Sequence, residues 1–292
     1  MVKCLKFGGE TMSDQNRGKI SLLAASFLWG FGFIAVQNAL DSGWSPFGLL
    51  AMRGWIAGIL FLFLSYKTKW WQNSKLVISG VLGGILMFSG FVFQTYGQAY
   101  STPANAAFLT TLYVIFTPFL VRLLFKVKLK PKVFVAALVA IIGLGILNLK
   151  DGYQVQTGDV LLLICAFLFA LHIIALEKMG QYIDPISLTA IQTLTMGVLS
   201  TVAMFIMKEG LQESGWLGVL YSGLISSGAA SFLQAYGQKR VSASLASLIL
   251  TLEAIFGVIC SVLILGEELT INMVIGGSLL LVAVLIIEMK RK

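Results

Sequence analysis

Residues 94–112 read QTYGQAYSTPANAAFLTTL, and residues 234–252 read QAYGQKRVSASLASLILTL. The two stretches align without a gap at an offset of 140 residues, so the opening motif Q-x-Y-G-Q occurs twice. The copies differ immediately after the motif, because the first continues Ala99-Tyr100 and the second continues Lys239-Arg240. Any fold for this chain has to account for both the repeat and the difference in charge.

The composition of the chain indicates a membrane protein. Of its 292 residues, 58% are hydrophobic and only 12% are charged, whereas a soluble domain carries about 25% charged residues. Uncharged stretches at 76–121, 185–207 and 214–238 are each longer than the roughly 20 residues that an α-helix needs to cross the hydrocarbon core. We therefore predict an all-α integral membrane protein.

The charges and cysteines argue against other classes. The net charge of +8 is carried by short Lys and Arg clusters between apolar segments, which argues against a nucleic-acid partner. Cys4, Cys165 and Cys260 are far apart in sequence and fit no metal spacing. The sequence contains no P-loop motif, so direct drive by ATP is not expected. We expect neither a metal nor a cofactor.

Turn residues and charges divide the chain into ten candidate membrane helices. Their predicted ranges are 19–39, 45–66, 75–97, 104–125, 131–149, 158–178, 185–207, 214–237, 243–265 and 271–289. Residues 1–18 are predicted to be a polar cytoplasmic segment before a retained first span, rather than part of a cleaved signal peptide. Residues 19–150 then form the first five-helix repeat, and residues 151–292 form the second with a short basic C-terminus. Pro118 is interior to its span, so we expect a kink there.

The distribution of basic residues predicts the orientation. With ten spans the connections alternate between the two sides of the membrane, and 17 of the 21 Lys and Arg residues fall on the side that carries both termini. The opposite connections hold only Lys150 and Lys208, while Arg53 and Arg122 lie inside spans. The positive-inside rule therefore predicts cytoplasmic termini and a multi-pass protein of the cytoplasmic membrane.

The odd number of helices in each repeat requires the two repeats to be inverted. Each unit contains five helices, and because five is odd, the second unit enters the membrane from the opposite side. The connection at 126–132 carries four lysines and falls inside, while its counterpart at 266–272 carries two glutamates and falls outside. We therefore predict ten transmembrane helices as two inverted five-helix repeats. This arrangement is typical of secondary transporters, which bind substrate near the bilayer midplane between the halves.

Four features occur in a recognisable order: FLWGFGFIAVQ at 27–37, Arg53 early in the second helix, GQAYSTPANAAFLTTLYVIFTPFL at 97–120, and LEAIFGVICSVLILGEELT at 252–270. Over nearly the whole chain, these features resemble the EamA-type branch of the drug/metabolite transporter superfamily. The resemblance implies transport of small polar or amphipathic metabolites, among them amino acids, sugars, nucleotide sugars and phosphorylated sugars. The first copy departs from the family pattern at Val127, where repeats often carry an acidic residue such as Glu267.

Three ionisable side chains inside the spans are candidate functional residues. Glu253 lies near the middle of the ninth helix, where an uncompensated carboxylate costs about 2.5 to 3.5 kcal/mol on insertion scales. It is either a proton-coupling or substrate-amine site, or an interhelical packing contact. Arg53 either binds an anionic substrate or pairs with a carbonyl or carboxylate of the protein. His172 either transfers protons or is a hydrogen-bonded packing residue.

Polar and aromatic side chains predict a central cavity. One face of the eighth helix and the related face of the third carry the polar residues Ser227, Ser231, Gln234, Gln238, Gln94 and Gln98. Such faces either line a hydrated cavity or join helices. Aromatic rings offer surface for a ring-bearing substrate but suit packing or lipid contact equally. The predicted substrate-binding residues are Trp29, Gln94, Tyr113, Phe169, His172, Gln234 and Phe256, with Glu253 and Arg53 for proton coupling or polar pairing.

The expected function is secondary transport. We expect a carrier that exports small metabolites such as amino acids by alternating access around the central cavity. Its expected partners are the small-molecule substrate and the lipid bilayer, while proton coupling and a homodimer are left open. Two alternatives are a membrane-embedded enzyme that acts on lipid and a structural or regulatory membrane protein. Enzymatic activity is not expected, because the sole histidine has no clustered partner and no nucleophile or metal constellation accompanies it.

Overall fold

The computed structural model describes residues 13–128, 131–148, 156–266 and 268–288. Within these ranges the chain forms ten long helices, one 3₁₀ turn at Trp70–Gln72 and no strand. The helices are α1 Asp14–Asp41, α2 Pro46–Thr68, α3 Ser74–Ala99, α4 Pro103–Phe125, α5 Pro131–Asn148, α6 Thr157–Met179, α7 Pro185–Ile206, α8 Trp216–Gln238, α9 Ala243–Leu265 and α10 Ile271–Glu288. Each coincides with one of the predicted spans. Residues 1–12 with Cys4, as well as Lys150, Glu267 and residues 289–292, lie outside the described ranges.

The lengths of the helices suit a bilayer. Eight of the helices in the described ranges are long and apolar enough to cross a membrane. The other two, α5 and α10, contain 18 residues each and are about 27 Å long, close to the roughly 30 Å of the hydrocarbon core. α1 begins earlier than its predicted residue 19, because the Ser13 hydroxyl accepts a hydrogen bond from the Asn16 N–H (3.2 Å) and caps its first turn. The chain is a multi-pass membrane protein.

Helix packing is symmetric between the two halves. α2 packs against α7, and α5 packs against α10, so each of these pairs joins equivalent helices. α3 packs against α6 as α8 packs against α1, and α4 packs against α6 as α9 packs against α1. Exchanging the two halves leaves this set of neighbours unchanged. The two inverted five-helix repeats predicted from parity and charge are therefore confirmed, and a pseudo-two-fold axis passes between them.

The repeated motif positions the same contact in both halves. A Cβ atom built on Gly97 would stand 2.7 Å from Leu162 Cγ, and one built on Gly237 would stand 2.7 Å from Leu22 Cγ. Both distances are far below van der Waals contact, so only glycine lets α3 approach α6, and α8 approach α1, this closely. The offset of 140 residues relates both the glycines and the leucines. The Q-x-Y-G-Q motif is thus a helix-packing element used once at each end of the membrane.

The described part of α4 is interrupted before Pro118. Pro118 lies inside the regular segment Tyr113–Phe125, and the interruption is instead at Thr111-Leu112, after the segment Pro103–Thr110. α9 is interrupted at the equivalent Thr251, although it contains no proline. Both threonine hydroxyls donate to carbonyls of the preceding turn, at 2.7 and 2.9 Å. The two interruptions thus lie at repeat-equivalent positions, and the one in α9 forms without a proline.

Candidate functional site

A central cavity lies between the two halves. Its walls are built by α1, α2, α3 and α4 of the first half and by α6, α8 and α9 of the second. The volume of the cavity is about 50 Å³. Small-molecule sites typically occupy about 300–1,000 Å³, and one water needs about 10–15 Å³ of reachable space. In this conformation the cavity is therefore smaller than a typical small-molecule site and has room for a few waters.

Most of the residues predicted for the site line this cavity. They are Trp29, Arg53, Gln94, Tyr113, Phe169, His172, Gln234 and Glu253. Phe256 does not line it. This residue lies against α1, where its Cβ occupies the space next to Gly30 and its ring contacts Phe27 edge to face with centroids 5.2 Å apart.

The lining residues come in repeat-related pairs. Trp29 corresponds to Phe169, and Gln94 corresponds to Gln234, at the constant offset of 140. The same offset relates Tyr113 to Glu253, and these two residues touch, because the Tyr113 hydroxyl donates a 3.1 Å hydrogen bond to the Glu253 carboxylate. Equivalent residues can meet only near the axis that relates them. The Tyr113–Glu253 bond therefore marks the pseudo-two-fold axis within the cavity.

Glu253 is a buried carboxylate with a neutral partner. Its side chain is only 4% exposed, and Tyr113 is 3% exposed. Among the described residues, no Lys, Arg or His lies within ion-pair distance of it, and only one carboxylate oxygen accepts a hydrogen bond. A buried charge without a counter-ion is costly. A proton or a cationic group bound at this carboxylate would offset that cost.

Arg53 is the corresponding buried cation. Its side chain is 1% exposed and reaches from α2 to α8, where Nε donates to Ser227 Oγ (2.7 Å) and Nη2 to Ser226 Oγ (3.2 Å). The guanidinium lies over the Phe91 ring, 4.2 Å from its centroid. Nη1 donates to none of the described residues. Arg53 is thus held rigidly by neutral groups, without a carboxylate partner within the described chain.

The two serines reach Arg53 because α8 is not a regular helix. Residues Tyr221–Ala230 are π-helical, whereas the equivalent part of α3 lies within the continuous α-helix Ser74–Ala99. In this segment, two consecutive serine side chains face the same guanidinium, and the Ser226 carbonyl accepts a hydrogen bond from Trp29 Nε1 (2.9 Å). π-Helical turns frequently lie at functional sites. This one ties α8 to both α1 and α2 at the cavity wall.

The side chains of the other predicted polar residues differ in their hydrogen-bond partners. His172 is hydrogen-bonded to Gln192 Oε1 (3.1 Å), while Gln192 Nε2 is buried without a partner. Gln94 Nε2 donates to Thr110 Oγ1 at 3.4 Å, but its counterpart Gln234 makes no hydrogen bond to the described chain. In the described part of the chain, no group of three or more His, Cys, Asp or Glu side chains is placed to hold a metal ion.

The two halves also match a known protein family separately. The sequence model of the EamA-like transporter family matches residues 16–149 and again residues 156–289. The chain belongs to this family. It is similar to an uncharacterized transporter of Archaeoglobus fulgidus, with 32% identity over 274 residues that cover 93% of this chain and 85% of the relative.

A second transporter sequence and a solved structure are similar to nearly the whole of this EamA-family chain. The uncharacterized transporter YcxC of Bacillus subtilis is 27% identical over 298 residues, which cover 93% of this chain and 92% of that one. A solved crystal structure superposes with a TM-score of 0.77 at 17% identity, covering 93% of this chain and 96% of that one. The structural likeness shows the fold, and the family and its relatives identify a membrane transporter.

Phe91 and Ser226 of this EamA-type transporter line the cavity but are not among the residues predicted for it. Phe91 lies on the polar face of α3, one turn after Met87 and one before Gln94, so helical spacing alone was a sufficient signal. No comparable signal existed for Ser226. A regular helix would present Ser227 rather than Ser226 with Ser231 and Gln234, and the π-helical segment is what turns Ser226 to the cavity.

Proposed function

We propose that this chain is a secondary carrier that exports small metabolites such as amino acids across the cytoplasmic membrane by alternating access around the central cavity. The observation that carries this proposal is the cavity's position on the pseudo-two-fold axis, with equivalent residues of both halves in its wall. A site on such an axis has an equivalent path to each side of the membrane. The substrate passes unchanged, and both termini lie in the cytoplasm.

Matched contacts at the two ends of the cavity support alternating access. Gln98 Nε2 donates to the Phe33 carbonyl at 2.8 Å, and Gln238 Nε2 donates to the Ile173 carbonyl at 2.8 Å. The offset of 140 relates both donors and both acceptors. Because the repeats are inverted, these bonds lie at opposite ends of the membrane. Opening one while keeping the other is the change that alternating access requires.

Flux into liposomes tests the proposal. Metabolite levels are compared between cells that lack and cells that overproduce the protein, and the compound that changes most is followed in proteoliposomes. We expect saturable flux that Glu253→Gln alters. The matched control is Glu213→Gln, which makes the same chemical change at an exposed loop residue outside the cavity. Absence of protein-dependent flux for every compound would reject transport, and an altered substrate would point to an enzyme.

We further propose that Glu253 couples export to proton movement. The groups that face it are Tyr113, its hydrogen-bond donor, and Cys165, which interacts with it electrostatically, while Arg53 and His172 line the same cavity. Glutamine in place of Glu253 keeps an oxygen for Tyr113 but releases no proton. We expect an imposed pH gradient to accelerate efflux of labelled substrate in the wild type and not in Glu253→Gln. An equal acceleration in both proteins would exclude this carboxylate as the coupling group.

A further inference from the structure

Two opposite charges share the central cavity without pairing with each other. Arg53 and Glu253 both line it, and both side chains are almost completely buried. No ion pair within 4.0 Å joins them, and each is instead hydrogen-bonded to neutral hydroxyl groups. Separate buried charges are costly when uncompensated. A ligand that carries both charges would neutralise them together.

The surroundings of Arg53 leave donors for a carboxylate. Nε and Nη2 are engaged by Ser227 and Ser226, so the unengaged donors include both hydrogens of Nη1. Ser231 lies one helical turn after Ser227 and lines the cavity. Its side chain is 6% exposed, and its hydroxyl has no hydrogen-bond partner. A guanidinium fixed by other contacts, together with a free hydroxyl, is suited to hold a carboxylate.

The surroundings of Glu253 leave an acceptor for an amine. One carboxylate oxygen accepts from Tyr113, and the other accepts from none of the described residues. An ammonium group donates three hydrogen bonds, and the unpartnered Gln234 amide also lies in the cavity wall. The subsite for the substrate's ammonium group is therefore formed by α9 and α8, near the pseudo-two-fold axis. The substrate's carboxylate would bind beside α2.

We propose that Arg53 and Ser231 form the subsite for a substrate carboxylate and that the free oxygen of Glu253 forms the subsite for its ammonium group, so that the cavity selects zwitterions. The proposal deepens the proposed function and rests on it. It also disfavours phosphorylated sugars and nucleotide sugars, because Arg53 and His172 are the only lining side chains of the described cavity able to carry positive charge. The substrate binds in one orientation, since the repeat equivalents of the two charged residues are not charged.

Charge-matched ligand sets test the proposal. Leucine is compared with isoamylamine, which lacks its carboxylate, and with isocaproate, which lacks its amine. Phenylalanine is compared in the same way with phenethylamine and phenylpropionate, and glucose is the neutral control. Calorimetry on the purified protein in detergent gives each dissociation constant. Since a hydrogen bond to a charged group contributes a factor of about ten to a hundred, we expect at least one zwitterion to bind roughly tenfold or more tightly than both its analogues.

Two substitutions should separate the subsites. Arg53→Gln should abolish the tighter binding of the zwitterion relative to its amine analogue but keep its tighter binding relative to the acid. Glu253→Gln should abolish the tighter binding relative to the acid but keep that relative to the amine. Ser231→Ala should weaken zwitterion and acid binding by about threefold or more and leave amine binding unchanged. Ser200→Ala is the matched control, because Ser200 is also buried and has an unpartnered hydroxyl outside the cavity wall. Should Arg53→Gln fail to fold, Ser231→Ala carries the test of the carboxylate subsite.

The possible results distinguish a failure of the zwitterion site from a failure of the transport proposal. Flux of glucose or another metabolite into proteoliposomes, without any zwitterion preference, would overturn the zwitterion site and leave the carrier intact. Equal losses for all three ligand types in both charge variants would also overturn it, because they would indicate a structural role. Absence of flux for every compound would count against the carrier, while the zwitterion site is overturned only if calorimetry shows no preference for either zwitterion over its analogues.

Discussion

Replacing Gln98 with leucine should open one end of the cavity. Gln98 Nε2 donates to the Phe33 carbonyl (2.8 Å) and to Gln37 Oε1 (3.3 Å), and both bonds join α3 to α1. Leucine has a similar size but no donor. Phe33 lies within the continuous helix α1, so its carbonyl also has a helical donor and is not orphaned. The loss is therefore that of two neutral hydrogen bonds, about 1–2 kcal/mol, which corresponds to a roughly 5- to 30-fold shift toward the open state.

The equivalent change at Gln238 should have a smaller effect in the opposite direction. Gln238 makes a single bond, to the Ile173 carbonyl, and its Oε1 is buried without a partner. Leucine removes the bond but also removes the unsatisfied oxygen, and the two contributions largely cancel. We expect Gln238→Leu to shift the balance by about threefold or less. The Gln98→Leu/Gln238→Leu double variant should lie between the two single variants.

Cysteine labelling measures these populations. A single cysteine at position 94, one turn deeper on α3 than Gln98, is placed in a chain whose native cysteines are replaced. A membrane-impermeant maleimide is added to whole cells and, separately, to inverted membrane vesicles. Gln98→Leu should speed labelling of position 94 from one side only. Unchanged labelling, or a larger acceleration by Gln238→Leu than by Gln98→Leu, would refute the role of these bonds in closure.

Two further predictions concern packing and the boundary of the site. Gly97→Ala should lower stability by about 1–3 kcal/mol, because its Cβ would stand 2.7 Å from Leu162 Cγ; Gly145→Ala, with nothing within 4 Å, should not lower it. Thermal unfolding in detergent checks both, and equal unfolding temperatures would contradict the close approach. Trp29→Ala should weaken ligand binding strongly, whereas Phe256→Ala should lower stability and change affinity by about threefold or less. A large loss of affinity in Phe256→Ala would instead show that the Phe256 ring contributes to the binding site.

The fold was predictable because its determinants are long-range patterns in the sequence. Apolar segments bounded by Lys, Arg and Pro define the helices, and one constant offset defines the repeat. Parity and charge then require inversion, and helix packing agrees. The start of α1 was less predictable, since the Ser13 cap extends the helix beyond its apolar part.

The site could be predicted only for residues that lie on regular helices. Polar and ionisable residues in apolar spans pointed to Arg53, Glu253 and the paired glutamines, because such residues are costly in a membrane without a role. Phe256 was placed in the predicted site by residue type alone, and nothing in the sequence located it against Gly30. Ser226 reaches the cavity through a π-helical segment that regular helical spacing does not predict, and there it contacts Trp29 and Arg53.

The Tyr113–Glu253 bond has a consequence for how such a site can arise. In a dimer of identical chains, a residue on the two-fold axis meets its own copy, so a tyrosine would face a tyrosine and a glutamate would face a glutamate. Two like carboxylates in that position would repel each other. Joining the two copies in one chain lets the facing positions diverge, and a hydroxyl donor then meets a carboxylate acceptor. A single chain with two diverged repeats can therefore place a hydrogen-bond donor opposite a carboxylate at its centre, which a dimer of identical chains cannot do.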